Sequence, residues 1–309
     1  MMNTPSIKQL QAWDAFKQMD EPVPSTVLLE EILQSLHINY TIITQEQIAN
    51  TYKVRKPFSH KGNFGHALIM AGSKGKMGAA LLCAKACLRT GAGLVTVAVP
   101  ENTAAVIHTA LPEAMVIEST NTFDAWNTYN AFALGPGWGI HQDHAHTLFE
   151  FIQNNQQPMV LDADAITILA EHSDWLNKLA ANTILTPHPK EFDRLFGSCT
   201  NDFERWRKAL DASVKYDCII IVKGHFTFIA ANGKAWINTT GNAGLAKGGS
   251  GDVLTGIIAG LLAQHYTVEQ ASIIGVYRHG LAADIALTHQ TMESMLASDV
   301  IEALKKITR

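Results

Sequence analysis

Short aliphatic and β-branched runs alternate with longer amphipathic stretches from residue 66 onward. The short runs are typical of strands that are buried on both faces, and the longer stretches carry apolar residues at helical spacing. Strands that alternate with helices favour a mostly parallel sheet covered by helices on both faces. The predicted strands are 66–71, 93–99, 131–134, 159–162, 183–185 and 219–222, and the first predicted crossover helix is 77–90.

The last third of the chain has a different pattern. Residues 226–230 and 234–237 are predicted to form a hairpin, because the Asn232-Gly233 pair between them suits a tight turn. Three helices are predicted to close the chain, at about 250–264, 268–288 and 293–307.

Residues 1–52 are polar and helical in pattern, with helices predicted at 7–18 and 26–36. Two such helices cannot form a core alone. We therefore predict an N-terminal extension, 1–52, followed by one large α/β domain, 53–309. The simplest role for the extension is packing against the main domain or a neighbouring subunit.

Composition narrows the class of protein. The chain has 309 residues, a net charge of −4 and dispersed Lys and Arg residues, which argues against a nucleic-acid surface. No apolar run approaches the roughly 18 residues needed to span a bilayer. The first residues do not resemble a secretory signal, and the four cysteines lack a Cys-x-x-Cys pair. We expect a cytoplasmic protein with buried free thiols.

The stretch 238–252 carries the strongest chemical signal. It contains five glycines and leads into an apolar helix whose first turn holds Asp252. Glycines let backbone N–H groups approach a ligand, and a helix N-terminus presents unpaired donors, so this arrangement suits a phosphate. The alternative is a Gly-rich turn before a core helix, with Asp252 stabilising the first turn.

Other candidate sites also follow predicted strands. The turn 72–78 suits a phosphate or is a flexible crossover, and the turn at Gly137 follows another strand. Asp162 ends a third strand, where a magnesium-bound water is one possible partner, while Asp164 suits the N-cap of the next helix. Glu191 favours its own helix start and is a second candidate for the metal shell. The sequence offers no evident structural reason for a histidine at position 188.

The residues of these motifs, and the order in which the motifs occur, resemble those of the ADP/ATP-dependent NAD(P)H-hydrate dehydratases of the ribokinase-like superfamily. The resemblance covers nearly all of 53–309 and is carried by HKG at 60–62, AGS at 71–73, GPG at 135–137, HPKE at 188–191 and the segment 242–252. Lys190 stands where the family usually has glycine. The resemblance implies a three-layer α/β/α fold with a mostly parallel central sheet.

The resemblance also implies roles for particular residues. Asp252 is the implied catalytic residue. The other implied contacts are the substrate-binding Ala79, Gly137, His188 and Asp252, the AMP-binding Lys223, Gly224, His225, Phe226, Thr227 and Gly251, and the anion hole of Gly249, Ser250 and Gly251.

The implied activity is repair of hydrated NADH and NADPH, with ADP or ATP as phosphoryl donor and Mg²⁺ as cofactor. Phosphorylation would turn a poor leaving group, hydroxide, into a good one. Asp252 would orient the substrate hydroxyl and accept its proton. Because it lies at a helix N-terminus, we expect this carboxylate to stay ionised and to be a weak base.

Two alternatives stay open. One is a small-molecule kinase of the hydroxyethylthiazole or pyridoxine type, and the other is a nucleotide-binding sensor without catalysis. The preference between ADP and ATP also stays open. The family resemblance implies a homo-oligomer, such as a tetramer.

The opening of the chain, IKQLQAWDAF, resembles the start of the NAD(P)H-hydrate epimerase domain that is often fused ahead of such dehydratases. The central sheet and catalytic residues of an epimerase have no room before residue 55. We therefore predict no epimerase activity.

Overall fold

A computed structural model of the protein describes residues 8, 11, 13–15, 34, 39–118 and 123–307. Within the predicted helix 7–18 the described residues 8, 11 and 13–15 are helical, and within 26–36 the described residue 34 is helical. The rest of these two predicted helices lies outside the described residues. Among the described residues, no helix is both long and apolar enough to cross a membrane.

Ten strands and ten α-helices lie within residues 39–118 and 123–307. The strands are β1 Tyr40–Ile42, β2 His66–Met70, β3 Leu94–Val99, β4 Met115–Glu118, β5 Ala131–Leu134, β6 Met159–Leu161, β7 Thr183–Leu185, β8 Ile219–Val222, β9 Thr227–Ala231 and β10 Lys234–Asn238. The helices are α1 Gln45–Thr51, α2 Met77–Thr90, α3 Ala104–Ala110, α4 Gln142–Asn154, α5 Asp164–Glu171, α6 Pro189–Phe196, α7 Asp202–Lys215, α8 Ser250–Ala263, α9 Val268–Ala286 and α10 Ala297–Ala303.

All ten strands form one sheet in the order β1-β10-β9-β8-β7-β6-β5-β2-β3-β4. Only β9, among these strands, runs antiparallel to its neighbours, because β8, β9 and β10 are joined by tight connections. The chain moves outward from β2 to β4 and then returns to β5 on the other side of β2. In parallel sheets such a reversal opens a crevice at the carboxyl ends of the strands, where ligands bind.

The core has two layers, one on each face of the sheet. Helices α2, α8, α9 and α10 contribute to one apolar cluster, and helices α4 to α7 contribute to the other. The predicted three-layer α/β/α arrangement with a mostly parallel sheet is confirmed.

Helix α8 packs very closely on α2. A Cβ atom placed on Gly256 would lie 2.1 Å from the carbonyl oxygen of Cys83, so only glycine permits this approach. Cys83, Cys87 and Cys218 are buried, Cys199 is partly exposed, and all four thiols are free. Burial raises the pKa of the Cys87 thiol, which keeps this sulfur protonated and unreactive.

The structure differs from the predicted elements at two strands and one helix. Strands β1 and β4 were not predicted, because each is short and gains stability only from its neighbours, β10 and β3. The last helix begins at Ala297 rather than at 293. Its start is set by Asp299, whose carboxylate accepts from the Leu296 N–H at 2.8 Å.

Residues near the predicted domain boundary join the main sheet. Strand β1 pairs with β10 in parallel, and the Trp13 indole N–H donates to Asp202 on α7 at 3.1 Å. These contacts fit the expectation that the N-terminal extension packs on the main domain, while the division at 52/53 stays a prediction.

Candidate active site

A cleft of about 760 Å³ lies at the carboxyl ends of the central strands. Its walls come from the ends of β6, β7 and β8, from the Gly-rich segment before α8, and from the first turn of α8. Helix α9 contributes Val276, His279 and Gly280. Motifs that are far apart in the sequence therefore meet in one cleft.

The first turn of α8 presents open backbone donors to the cleft. Its N-cap is Gly249, with φ +95°, and no side chain caps the helix. The positive φ strongly favours glycine at this position, and a Cβ on Gly249 would lie 2.7 Å from Leu82 Cδ1, so the leucine side chain would have to move. The N–H groups of Gly251 and Asp252 have no acceptor one turn back within the helix, which leaves them free for an anion.

Asp252 lines the cleft and has no hydrogen bond or ion pair among the described residues. Burial raises the pKa of its carboxyl to about 6, and the charges of Asp162 and Asp164 add to this effect, while Lys223 opposes it. The expectation that Asp252 is a weak base is therefore wrong, whereas most of the carboxyl population stays ionised at pH 7, as expected. Desolvation and like charges outweigh the helix N-terminus, and the result is a stronger base.

Asp162, unlike Asp252, is held by hydrogen bonds and an ion pair, and its pKa is lowered rather than raised. It is 1% exposed, and its oxygens accept from Lys223 Nζ at 2.7 Å and from Thr255 Oγ1 at 2.8 Å. Burial alone would raise the pKa of Asp162, but the charge of Lys223 and the hydrogen bonds from Lys223, Thr255 and Thr186 together lower it. Asp162 therefore stays ionised.

Lys223 connects the ends of three strands. Its ammonium lies 2.7 Å from Asp162 Oδ1 after β6 and 3.8 Å from Glu191 Oε2 after β7. Burial would lower the pKa of Lys223, but the charges of Asp162, Glu191 and Asp252 outweigh it and raise the pKa. A Cβ on Gly251 would lie 3.4 Å from this ammonium, so the cation sits directly beside the first turn of α8.

His188 has a structural role that the sequence did not reveal. It is the N-cap of α6, and its Nδ1 accepts from the N–H groups of Lys190 and Glu191 at 3.1 and 3.2 Å. Glu191 completes a capping box by accepting from the His188 N–H at 2.8 Å. Since Nδ1 is an acceptor, a neutral ring carries its proton on Nε2, and the half-exposed ring lines the cleft.

Ala79, in the first turn of α2, packs against the turn at Gly137, and neither residue is among those that line the cleft. A Cβ on Gly137 would lie 2.9 Å from the Ala79 Cβ, and Ser73 Oγ donates to the Gly137 carbonyl at 2.8 Å. This turn is joined to the centre by Asp164, whose Oδ2 accepts from the Gly139 N–H at 2.7 Å. Asp164 is thus a helical residue that holds the turn, and the expectation that it caps α5 is wrong, since the cap is Ala163.

The predicted AMP-binding run is divided between two environments. Lys223, Gly224, His225 and Thr227 line the cleft. The Phe226 ring instead lies 5.9 Å from the Trp13 ring, on the side of the N-terminal extension. Burial lowers the pKa of His225, so this ring is neutral at pH 7.

Three polar residues of the site were missed by sequence reasoning. Asp284 on α9 accepts from the Gly241 N–H at 2.9 Å and from Asn242 Nδ2 at 3.0 Å, and so holds the Gly-rich segment against α9. His279 lines the cleft with no partner for Nε2 among the described residues, and burial lowers its pKa to about 4. Thr255 is fully buried. The sequence feature that could have identified these three residues is a polar side chain within an otherwise apolar helix.

The described residues offer little direct coordination to a metal ion. No group of three His, Cys, Asp or Glu side chains in these ranges is arranged to hold one. Asp162 and Glu191 line the cleft, yet both Asp162 oxygens and one Glu191 oxygen are already engaged. Such carboxylates fit Mg²⁺ that keeps its waters and binds substrate phosphates.

Comparison with known proteins identifies the family. Residues 67–306 match the family model described as NAD(P)H-hydrate dehydratase. This match covers most of the chain and includes every site motif from Ala79 to Asp252. The chain belongs to the NAD(P)H-hydrate dehydratase family.

Individual members of the family are similar over most of this chain. The ADP-dependent (S)-NAD(P)H-hydrate dehydratase of Bacillus subtilis is 34% identical over 282 residues, which cover 87% of this chain and 98% of that enzyme. A crystal structure of the Bacillus subtilis ADP/ATP-dependent enzyme, co-crystallised with ATP/Mg²⁺, has a TM-score of 0.76 and 33% identity, and the match covers 85% of this chain and 95% of that one. A ribokinase-like superfamily protein of Enterococcus faecalis has a TM-score of 0.77 and 28% identity, and the match covers 86% of this chain and 94% of that one. The ribokinase-like fold is therefore confirmed.

Other relatives are longer. The bifunctional NAD(P)H-hydrate repair enzyme of Escherichia coli is 37% identical over 267 residues, which are 85% of this chain and 51% of that enzyme. The chain thus spans about half the length of several curated relatives in the dehydratase family.

Proposed function

We propose that this chain catalyses the ADP- or ATP-dependent dehydration of the S-form of hydrated NADH and NADPH, which restores the normal cofactors. The observation that carries the proposal is Asp252. It is an unpaired, partly buried carboxylate in the first turn of α8, beside open backbone donors and in reach of the charge of Lys223. This is the arrangement that transfer of a phosphoryl group to a hydroxyl requires.

The reaction has two parts. The hydroxyl oxygen of the hydrated ring attacks the terminal phosphorus of the nucleotide, and the hydroxyl proton passes to Asp252. The bond between that phosphorus and the bridging oxygen breaks, and AMP (from ADP) or ADP (from ATP) leaves with the bonding electrons. The carbon–oxygen bond then breaks, phosphate departs with the bonding electrons, and the ring nitrogen supplies electron density. Loss of a proton from the neighbouring carbon restores the double bond.

A carboxyl pKa of about 6 suits this role for Asp252. At pH 7 most of the population is ionised and able to accept a proton, yet the base is stronger than an exposed aspartate. The backbone N–H groups of Gly249, Ser250 and Gly251 form the proposed anion hole for the transferring phosphoryl group.

The remaining residues have proposed positioning roles. Ala79, Gly137 and His188 would contact the hydrated cofactor. Lys223 to Thr227 and Gly251 would contact the AMP portion of the nucleotide, with Phe226 the least direct, since its ring lies towards Trp13. Bound Mg²⁺ would neutralise phosphate charge, and Asp162 and Glu191 would hold its waters.

A direct assay tests the proposal. Purified protein is mixed with hydrated NADH, Mg²⁺ and either ADP or ATP, and the near-ultraviolet absorbance of NADH is followed. Recovery that requires a nucleotide supports the proposal, and the faster nucleotide is the preferred donor. No recovery, together with a stable phosphorylated product, would support the small-molecule kinase, and nucleotide binding without any turnover would support the sensor.

We also propose a cytoplasmic homo-oligomer, such as a tetramer. The support is the family resemblance. Light scattering of the purified protein measures the oligomeric state.

A further inference from the structure

A second cavity, of about 490 Å³, lies on the other side of α9 from the cleft. Helix α9 contributes Tyr277, Arg278 and Leu281 to this cavity, whereas Val276, His279 and Gly280 line the cleft. The opposite wall comes from α1 and the segment that follows it. The remaining lining residues are Gln45, Ile48, Ala49, Tyr52, Lys53, Arg55, Gln264 and Ile307.

Arg278 is the unusual residue of this cavity. It is only 9% exposed, and its Nε has no hydrogen-bond partner. Within the described part of the chain its guanidinium has no ion pair, and its one favourable charge contact is the Tyr52 ring, 5.0 Å away. A guanidinium is always charged, and a buried charge without a carboxylate is costly.

The neighbouring cations do not share this property. Lys53 Nζ donates to the carbonyl oxygen of His265 at 2.6 Å and lies over the Tyr266 ring. Arg55 donates to the carbonyl oxygen of Gly91 and stacks 3.7 Å from the centre of the Phe64 ring. The cavity therefore has a net positive field and one cation whose donors are unused.

No carboxylate is present in the described lining to neutralise that field. The nearby Asp284 is already engaged by the Gly241 N–H and by Asn242 on the cleft side. Burial, with the charge of Asp284, raises the pKa of the Tyr277 hydroxyl, which stays protonated as a donor. Among the described residues this hydroxyl also has no hydrogen-bond acceptor.

We propose that this cavity is a second ligand site, which binds a small ring compound bearing one carboxylate or phosphate group. The oxyanion would accept two hydrogen bonds from the Arg278 fork, which matches the geometry of both groups. The ring would lie against Tyr52, Ile48 and Leu281, since a cavity of this volume suits a small molecule. The site shares no lining residue with the cleft.

Titration calorimetry with benzoate and with phenyl phosphate tests the site and distinguishes the two anions. The full chain should bind at least one probe, and Arg278→Met should weaken that binding about tenfold or more. Arg278→Lys keeps the charge but loses the two-pronged guanidinium, so its affinity for the probe should lie between those of the parent and of Arg278→Met. The matched control is Arg89→Met, which removes an equal charge from a half-exposed arginine on α2 paired with Glu302.

Thermal unfolding without ligand gives an independent measurement. Removal of an unpartnered buried charge should raise the Tm in Arg278→Met, whereas Arg89→Met should leave it nearly unchanged. The proposal is overturned if neither probe binds or if Arg278→Met binds both as the parent does. A lower Tm in Arg278→Met, or a crystal structure in which a carboxylate of this or another chain occupies the Arg278 fork, would also overturn it.

Discussion

Two carboxylates line the same cleft with pKa values shifted in opposite directions, Asp162 at the end of β6 and Asp252 in the first turn of α8. Asp162 is almost fully buried, and Lys223 and Thr255 hold its oxygens and its negative charge. Asp252 is less buried but has no partner of its own, and its pKa is raised to about 6. The partners of each carboxylate, more than its depth, thus decide its charge and its chemistry.

The difference separates structure from reactivity in this site. At the ends of β6, β7 and β8, the ion pairs of Lys223 with Asp162 and Glu191 form a closed network, and this network fixes Lys223 beside the first turn of α8. That turn keeps open backbone donors and a basic carboxylate, which cost stability and which the proposed reaction would use. Each of the following experiments changes one side of this comparison.

The largest effect should come from Asp252→Asn. The amide keeps the size of the side chain but cannot accept the substrate proton, so turnover should fall about 10²- to 10⁴-fold. Nucleotide affinity should change little. The assay is NADH recovery together with ADP binding, and Asp211→Asn on the exposed side of α7 is the control. Equal turnover in Asp252→Asn and the parent would contradict the catalytic assignment.

Lys223→Met should remove the ion pairs that Lys223 forms with Asp162 and Glu191. Asp162 would be left as a buried carboxylate with only hydroxyl partners, so the free energy of unfolding should fall by about 3–5 kcal/mol. Urea unfolding measures this loss, with the exposed Lys190→Met as control. The double variant Lys223→Met/Asp162→Asn should regain part of the stability. An unchanged midpoint in Lys223→Met would mean that the pair contributes nothing.

The raised pKa of Asp252 predicts an acid limb in the rate. Because the ionised form is the base, kcat/KM should fall about tenfold per pH unit below pH 6 and level off above it. A pH profile of NADH recovery measures this limb. A limb near pH 4 would show that burial does not perturb this carboxyl.

The same pKa predicts a pH-dependent stability difference. Since the folded value, about 6, lies above the unfolded value, 3.8, the parent loses stability relative to Asp252→Asn as pH rises from about 4 to above 6. The difference should reach about 1–3 kcal/mol at pH 7 and vanish near pH 4. Unfolding of both proteins across this pH range measures the stability difference. A difference that stays constant with pH would show that the raised pKa of Asp252 is not its cause.

The smallest effect separates the two roles of His188. Asparagine is a good N-cap and alanine is not, so His188→Ala should lose about 1 kcal/mol of stability and His188→Asn little. If the ring contacts the hydrated cofactor, both variants should raise KM alike. A normal KM in His188→Asn would leave His188 as a helix cap only.

The sequence by itself determined the order of the main strands and helices along the chain and the position of the Gly-rich turn that precedes α8. Both depend on local signals: apolar periodicity predicted helix Met77–Thr90 with the observed bounds, and the glycines before Asp252 marked an open helix start. It also indicated the family, because those motifs occur in a fixed order along the chain.

Only the tertiary structure decided how the charged groups act. The pKa of Asp252 depends on Asp162 and Asp164, which are distant in sequence, and on burial that the whole sheet creates. The cap formed by His188, the support from Thr255, and the unpaired guanidinium of Arg278 likewise arise from packing. Electrostatic effects depend on distance and solvent exclusion, and neither quantity is written in a local pattern of residues.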